Sequence, residues 1–527
     1  MRAQLPWCGL LGLLGLAVLA PAAPSTGPVR ADGSEPATVV ETSNYHSTSR
    51  HADVAQFCRS LATQSPRVHL ASLGTSHEGR DLPLLILADP PVTTPAAAAQ
   101  SGKLVVFLFG NIHAGEVSGK EALQLLARDL TQPEADPLFE RLIILINPIL
   151  NADGNERIAA TNRTWQGGPA TGVGIRANAQ NLDLNRDFIK LASPEIQALV
   201  RLLGTWDPKV IVDCHDTDGS FHRYQLTYDG PRHPAADPGL IALGGGRFLP
   251  EITRRLEAQD QVRTFVYGDF NRDYTRWETY PALPRYGIQY FALRQRLGLL
   301  AEAYTYTPFA ERVRATRCFL RQVLELSAQE ASTIQTAVQE ADRQQRMRPL
   351  ALRHETGPRP ERVDVLGWVE EMRDGRRAPT DQPRDYPVTV VDRCTPTLRA
   401  HLPQAYLVPA HLTRVLENLR AHGIQYAPLK EPERRSVETY TVTKLTRAGN
   451  PFQGVWLNKV EAVTLKTEVE FVVPVGMIRV PMDQPLAVLA AYLLEPQADD
   501  SLAAWDFLDE MLAEGQPFPI LRQVLLP

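Results

Sequence analysis

The sequence is short of cysteine, with five in 527 residues. That excludes a disulfide scaffold, which needs a far denser supply. It is also short of net charge. Lys plus Arg is 55 and Asp plus Glu is 60, a formal balance of −5. A chain of this size with so small a balance has no general attraction for nucleic acid or an anionic membrane. Hydrophobic residues at 44% and charged residues at 22% are ordinary for a soluble globular protein. Collagen-like, coiled-coil and wholly disordered readings therefore fall away. No internal repeat is visible. The length allows about three domains at roughly 150 residues each.

Residues 1–22 read as a secretory signal peptide. Arg2 supplies a short basic start, Gly9 to Ala20 is an apolar run of 12 residues, and Ala20-Pro21-Ala22 offers small residues for cleavage. A bilayer span takes about 20 apolar residues, so no stable membrane span is expected once the signal is removed. The protein is expected to be secreted or periplasmic. Cleavage takes Cys8 and leaves Cys58, Cys214, Cys318 and Cys394, hence at most two disulfides. Four cysteines allow three pairings, and spacing does not choose among them. Residues 23–44 read as a linker.

From residue 45 to residue 347 apolar runs alternate with helical spacing. Leu104 to Phe109, Leu142 to Ile146, Val210 to Val212 and Leu299 to Ala303 read as strands buried on both faces. Ser118 to Leu130, Glu195 to Leu203 and Glu311 to about Arg346 read as helices between and after them. The alternation predicts an α/β fold with a mostly parallel or mixed central sheet flanked by helices. Residues 348–362, rich in Pro and Arg, read as a second linker. Residues 363–527 read as an accessory β-rich domain, strand-like over 436–480 and helical over 502–512.

In an open α/β sheet, functional residues gather beyond the carboxyl ends of the strands. After the first strand of this set comes Asn111-Ile-His113-Ala-Gly-Glu116. After the third comes Asp213-Cys-His215-Asp216. Within the fourth lies Glu302. His113 and Glu116 form the chain's one His-x-x-Glu spacing, where a strand gives way to a helix. With His215 they make the two-His, one-Glu set of a catalytic zinc, which leaves a fourth position for water. Spacing alone leaves open that they are satisfied polar residues at strand ends.

Other segments extend the pattern. Thr75-Ser-His-Glu-Gly-Arg80, Asn147-Pro-Ile-Leu-Asn-Ala-Asp153-Gly154 and Asn181-Leu-Asp183-Leu-Asn185-Arg186-Asp187-Phe188 follow in order, and Glu302 comes 87 residues after His215. Over roughly residues 45–330 the chain resembles the zinc carboxypeptidases of the carboxypeptidase A and T type. The resemblance implies one Zn2+ per chain held by His113, Glu116 and His215, a site of charge +1 that acts as a Lewis acid. It implies Asp183 as the carboxylate that orients the first ligand histidine. It implies Glu302 as general base, and Asn185 and Arg186 as the clamp on a substrate's terminal carboxylate. Arg suits the clamp because its planar guanidinium grips a carboxylate with two parallel bonds.

Departures from the family pattern are specific. Gly115 stands where the family has an arginine between two ligands. No arginine follows Trp165, so Arg163, ahead of Arg176, is the expected partner of the scissile carbonyl. Tyr280 and Tyr286 are both candidates for the tyrosine over the site. Asp213 and Asp216 read as structural, and Cys214 as a core residue facing away from His215. His222 reads as a loop histidine or a residue lining the site. The partners implied are peptide or protein C-termini. A cell-wall peptide hydrolase on the same fold and a non-catalytic peptide-binding relative remain as alternatives.

Overall fold

The computed structural model describes residues 35–373 and 375–525. The signal peptide and most of the first linker lie outside the described residues. Strands β1 (Val68–Thr75), β2 (Asp81–Leu87), β3 (Leu104–Gly110), β4 (Leu142–Asn147), β5 (Val210–Thr217), β6 (Leu226–Asp229) and β7 (Thr264–Val266) share one sheet with β10 (Leu297–Tyr304). Their order is β1-β2-β4-β3-β5-β10-β6-β7. The block β4-β3-β5-β10 is parallel. Pairs β1–β2, β2–β4 and β6–β10 are antiparallel. Every residue of β3, β4, β5 and β10 is buried, as their continuous apolar runs require when helices cover both faces.

Local signals set the helices. Pro194–Trp206 opens with Ser193, whose hydroxyl accepts from Ile196 N–H, and with Pro194 at the first helical position. It ends at Asp207 in the left-handed region. The stretch from residue 311 onward forms two helices, Phe309–Gln329 and Ala331–Gln344. Among the described residues no helix is long and apolar enough to cross a membrane.

Residues 348–362 are not a loose linker. They enter β11 (Leu350–Arg373), which pairs with β12 (Arg376–Ala400) in a long antiparallel hairpin. Prolines 358, 383 and 387 sit in it because the hairpin tolerates repeated register shifts, three of them at Pro358 and Trp368. β12 also pairs with β9 (Arg276–Glu278), and β9 with β8 (Asp269–Phe270), in a sheet of order β11-β12-β9-β8. Trp277, Tyr224, Val365, Tyr386, Val388 and Val390 bury one another there.

The rest is β-rich. Strands β13 (Ala405–Pro409), β14 (Ala427–Pro428), β15 (Glu433–Arg447), β16 (Asn458–Val473), β17 (Met477–Pro481) and β18 (Leu521–Val524) form a sheet of order β14-β17-β13-β18-β15-β16. The helical expectation over 502–512 is corrected to turns followed by a 3-10 turn at Asp509–Met511. Leu502, Ala503 and Trp505 are buried there without helical repeat, because contact with the rest of the protein outweighs propensity. Leu352, Tyr406, Tyr492 and Trp505 belong to the same buried cluster as Phe107 and Phe291. The helix Thr413–His422 is tied to the central domain, with Asn418 Nδ2 donating to Ile189 O at 2.9 Å.

Candidate metal centre and substrate cavity

The site forms where β3, β5 and β10 end together. At the end of β3, Asn111 turns the chain with φ +62, a left-handed value that asparagine tolerates. Its side-chain amide donates to Glu116 O, and Glu116 N–H donates to His113 O at 2.9 Å. This tight turn directs His113 and Glu116 into one space. The helix Ser118–Asp129 follows immediately. Gly119 lets it approach β5, since a Cβ at that position would lie 2.4 Å from Cys214 Cβ. Cys214 is buried on the side of β5 away from His215. The parallel register pairs His215 with Glu302 on β10.

His113 Nδ1 and His215 Nδ1 lie 3.1 and 2.9 Å from the same Glu116 oxygen, Oε2. One donor atom from each of the three residues falls within 4.8 Å of the others. All three are buried. Two imidazole nitrogens and a carboxylate are the donors zinc takes at a site with one position left open. Behind each histidine stands a carboxylate. Asp183 Oδ1 is 3.0 Å from His113 Nε2, and Asp213 Oδ2 is 3.0 Å from His215 Nε2. Both contacts turn Nδ1 toward the centre, so the donor set fits a zinc ion.

Asp213, expected to be structural, stands against His215 instead. The signal was available, since residues two apart on a strand share a face. Asp216, expected to be structural, sits beside the centre, where its backbone N–H donates to Glu116 Oε2 at 3.3 Å. It accepts from Arg312 Nη1 at 2.8 Å and from Ser118 Oγ at 2.9 Å, with Arg312 wholly buried.

Burial pushes the Glu116 carboxyl upward. His113 and Arg163 outweigh that and hold it well below the usual carboxylate range. Asp183 is lowered likewise, with His113 and Arg176 overcoming burial. Glu302 goes the other way. Burial raises it to about 8, against the pull of His215 and with the push of Glu116, Asp216 and Asp213.

A cavity of about 600 Å³ opens over this centre, and His113, Glu116, His215, Glu302, Arg163, Asn185, Arg186, Tyr280 and Tyr286 all line it. Arg163 Nη2 donates to Glu116 Oε1 at 2.7 Å, and Arg176 Nε donates to Asp183 Oδ2 at 2.9 Å. Gly115 makes room for Arg163, because a Cβ there would lie 2.7 Å from Arg163 Nε. The family's missing arginine is thus replaced by space for another. Arg186 lies 4.3 Å above the Tyr286 ring, which is 5.1 Å from Tyr280. Asn185 Oδ1 accepts from Gly287 N–H at 2.9 Å. Tyr267, Thr217 and Asp218 also line the cavity and had no sequence signal. His222 does not line it. It is buried against Tyr304 with ring centroids 3.9 Å apart, and burial lowers its pKa to about 3. Cys58, Cys214, Cys318 and Cys394 are all free thiols.

Comparison with known proteins agrees with this geometry. Residues 54–233 match the family model described as zinc carboxypeptidase. Carboxypeptidase 2 of Trichophyton rubrum is 25% identical over 88% of this chain and 85% of its own length. Human carboxypeptidase Z is 35% identical over 153 residues, 27% of this chain and 22% of that protein. A metallo-carboxypeptidase from Pseudomonas aeruginosa, solved with (2-guanidinoethylmercapto)succinic acid, is 19% identical with a TM-score of 0.41, over 55% of this chain and 71% of that one. The family uses zinc and acts on peptide C-termini. By its matched segment and its curated relatives, the chain carries a zinc carboxypeptidase domain over residues 54–233 and is a zinc-dependent metallocarboxypeptidase.

Proposed function

We propose that the protein is an exported carboxypeptidase that removes residues one at a time from peptide C-termini, with residues 45–347 as its catalytic part and 363–527 as an accessory part. His113, Glu116 and His215 would hold the zinc. Bound there, the ion lowers the pKa of a water and polarises a carbonyl oxygen. The observation that carries the reading is the shared cavity. The three donors, Glu302 and the Asn185–Arg186 pair open onto the same space.

Arg186 offers a planar fork to a carboxylate, stacked on Tyr286. Asn185 is fixed beside it by its bond from Gly287 N–H. A peptide held by its terminal carboxylate there presents its last amide bond to the donor set. Glu302 then takes a proton from the attacking water on a carboxylate oxygen and hands it to the leaving amine. Burial raises its affinity for a proton, which suits it to hold that proton until the amine leaves. A bound dication would pull it back toward the ordinary range. Arg163 reaches the centre from the cavity wall and faces the carbonyl oxygen as charge develops on it. The apolar run Gly9 to Ala20 supports export.

The test pairs substrates and a variant. Peptides with a free C-terminus should be trimmed and their amidated twins spared. Glu302→Gln should keep zinc and lose turnover. Equal cleavage of amidated peptides would refute the carboxylate clamp. Loss of zinc from Glu302→Gln would make Glu302 a ligand instead of a base.

A further inference from the structure

The C-terminal part reaches the site behind Asp183. β15 and β16 are joined by residues 448–457. Ala448 N–H donates to Leu457 O at 2.8 Å, and Phe452 and Val455 exchange both backbone bonds at 2.8 and 3.1 Å. The tip is therefore a two-residue turn, Gln453-Gly454, with φ of +52 and +81. Turns with both central residues left-handed favour Asn, Asp or Gly at the first place. Glutamine there carries the steric cost of left-handed backbone with no local reason for it. Such an outlier points to a role for the side chain.

The side chain supplies one. Gln453 Oε1 accepts from the Asp183 backbone N–H at 2.8 Å. Asp183 is where the site's contacts converge. Its Oδ1 is 3.0 Å from His113 Nε2 and accepts from Asn185 N–H at 2.9 Å. Its Oδ2 accepts from Arg176 Nε at 2.9 Å and lies 3.8 Å from Arg186 Nη1. The turn itself is anchored. Arg285 lies 5.2 Å from the Phe452 ring and 4.8 Å from the Trp505 ring, and it forks onto Asp500 at 2.9 and 2.5 Å. Arg285 directly precedes Tyr286, the ring beneath Arg186.

We propose that Gln453 is a positioning residue for the carboxypeptidase reaction. The turn carries its side chain onto the Asp183 backbone, and Asp183 transmits that placement to His113, Arg176 and Arg186. This rests on the reading of Asp183 as the carboxylate that orients His113.

The test uses the full chain with Gln453→Gly, Gln453→Met and Gln453→Glu. Glycine removes the backbone penalty, so this variant should melt above the methionine variant. It also removes the acceptor, so kcat/KM and zinc affinity in a chelator competition should each fall about 3- to 10-fold, the range of one hydrogen bond. Methionine, equal in size but without an acceptor, should lose the same. Glutamate keeps an acceptor at the same reach and should stay within about threefold of the native protein. The kcat and KM should both shift, because Asp183 touches a donor histidine and the clamp. A glycine variant that melts above the methionine variant and keeps native kcat/KM and zinc affinity would make Gln453 a turn residue only and overturn the proposal. Losses in glycine and methionine without recovery in glutamate would place the effect in packing and overturn it as well. Asp183→Asn separates the two levels. If it costs zinc affinity while the Gln453 variants do not, only this inference falls. If it costs nothing, the reading of Asp183 falls with it.

Discussion

Replacing Asp213 by asparagine tests whether the carboxylate behind His215 acts on the metal or on the fold. Asp213 is wholly buried, and its Oδ2 is 3.0 Å from His215 Nε2. Neither of its oxygens has another hydrogen-bond partner among the described residues. The carboxylate can only accept, so it holds the proton on Nε2 and leaves the Nδ1 lone pair facing Glu116. An asparagine can turn its amide toward Nε2 instead. That drives the proton to Nδ1 and blocks the nitrogen that should bind metal, the same tautomer error that disables a triad histidine. The expected loss of zinc affinity is about 10- to 100-fold, or about 1.4–2.7 kcal/mol. Stability without zinc should move the other way or stay level, since a buried carboxylate is costly to keep. At free zinc about 100 times the native Kd, the native protein gains about 2.7 kcal/mol. A variant about 30-fold weaker gains only about 0.9 kcal/mol at the same concentration. Melts in chelator and in zinc, with a chelator competition for affinity, read both quantities. A variant that binds zinc as tightly as the native protein refutes the argument. So does one that loses equal stability in chelator and in zinc, for Asp213 would then support the fold alone.

Two further changes probe other buried charge. Arg312→Met strands Asp216 without its guanidinium and should lower unfolding stability in denaturant by about 3–5 kcal/mol. Adding Asp216→Asn should recover much of that, and a single variant of native stability would show that the pair is idle. Asp499 has its pKa raised to about 6, mainly by burial, against the pull of Arg353. Its ionised form is therefore disfavoured in the folded state. The penalty is absent below pH 4, grows between about pH 4 and pH 6, and is complete above. Asp499→Asn should match the native protein at pH 4 and exceed it by about 3 kcal/mol at pH 8, measured by denaturant midpoints. Equal curves at both pH values would contradict the shift.

Much of the central domain was legible because burial on both faces leaves continuous apolar runs, as in β3, β4 and β5. The donor residues were legible because the turn after β3 packs His113 and Glu116 within four positions. Asp213 was hidden by its ordinary appearance beside a more conspicuous histidine, although alternation along β5 put both on one face. Residues 348–362 misled because proline usually marks a break, and here β11 admits it by shifting register. Residues 502–512 misled because Leu502, Ala503, Ala504 and Trp505 favour a helix in isolation, yet bury against another part of the chain. Gln453 carried no local sign at all. Its meaning depends on Asp183, 270 positions away in sequence.

The continuous core bears on how a chain of this kind can change by inheritance or by engineering. An autonomous module can be duplicated, lost or transplanted without harm to its neighbour. Here a cut after the helix Ala331–Gln344 would strip β12 from β9 and uncover Trp277. It would also release Ile189 O, three residues past Arg186, from Asn418 and His422. A cassette taken from the first 347 residues would arrive without the strands behind its own cavity wall. Sequence change on the two sides of that boundary must be accepted jointly, and libraries that recombine them should be scored as pairs.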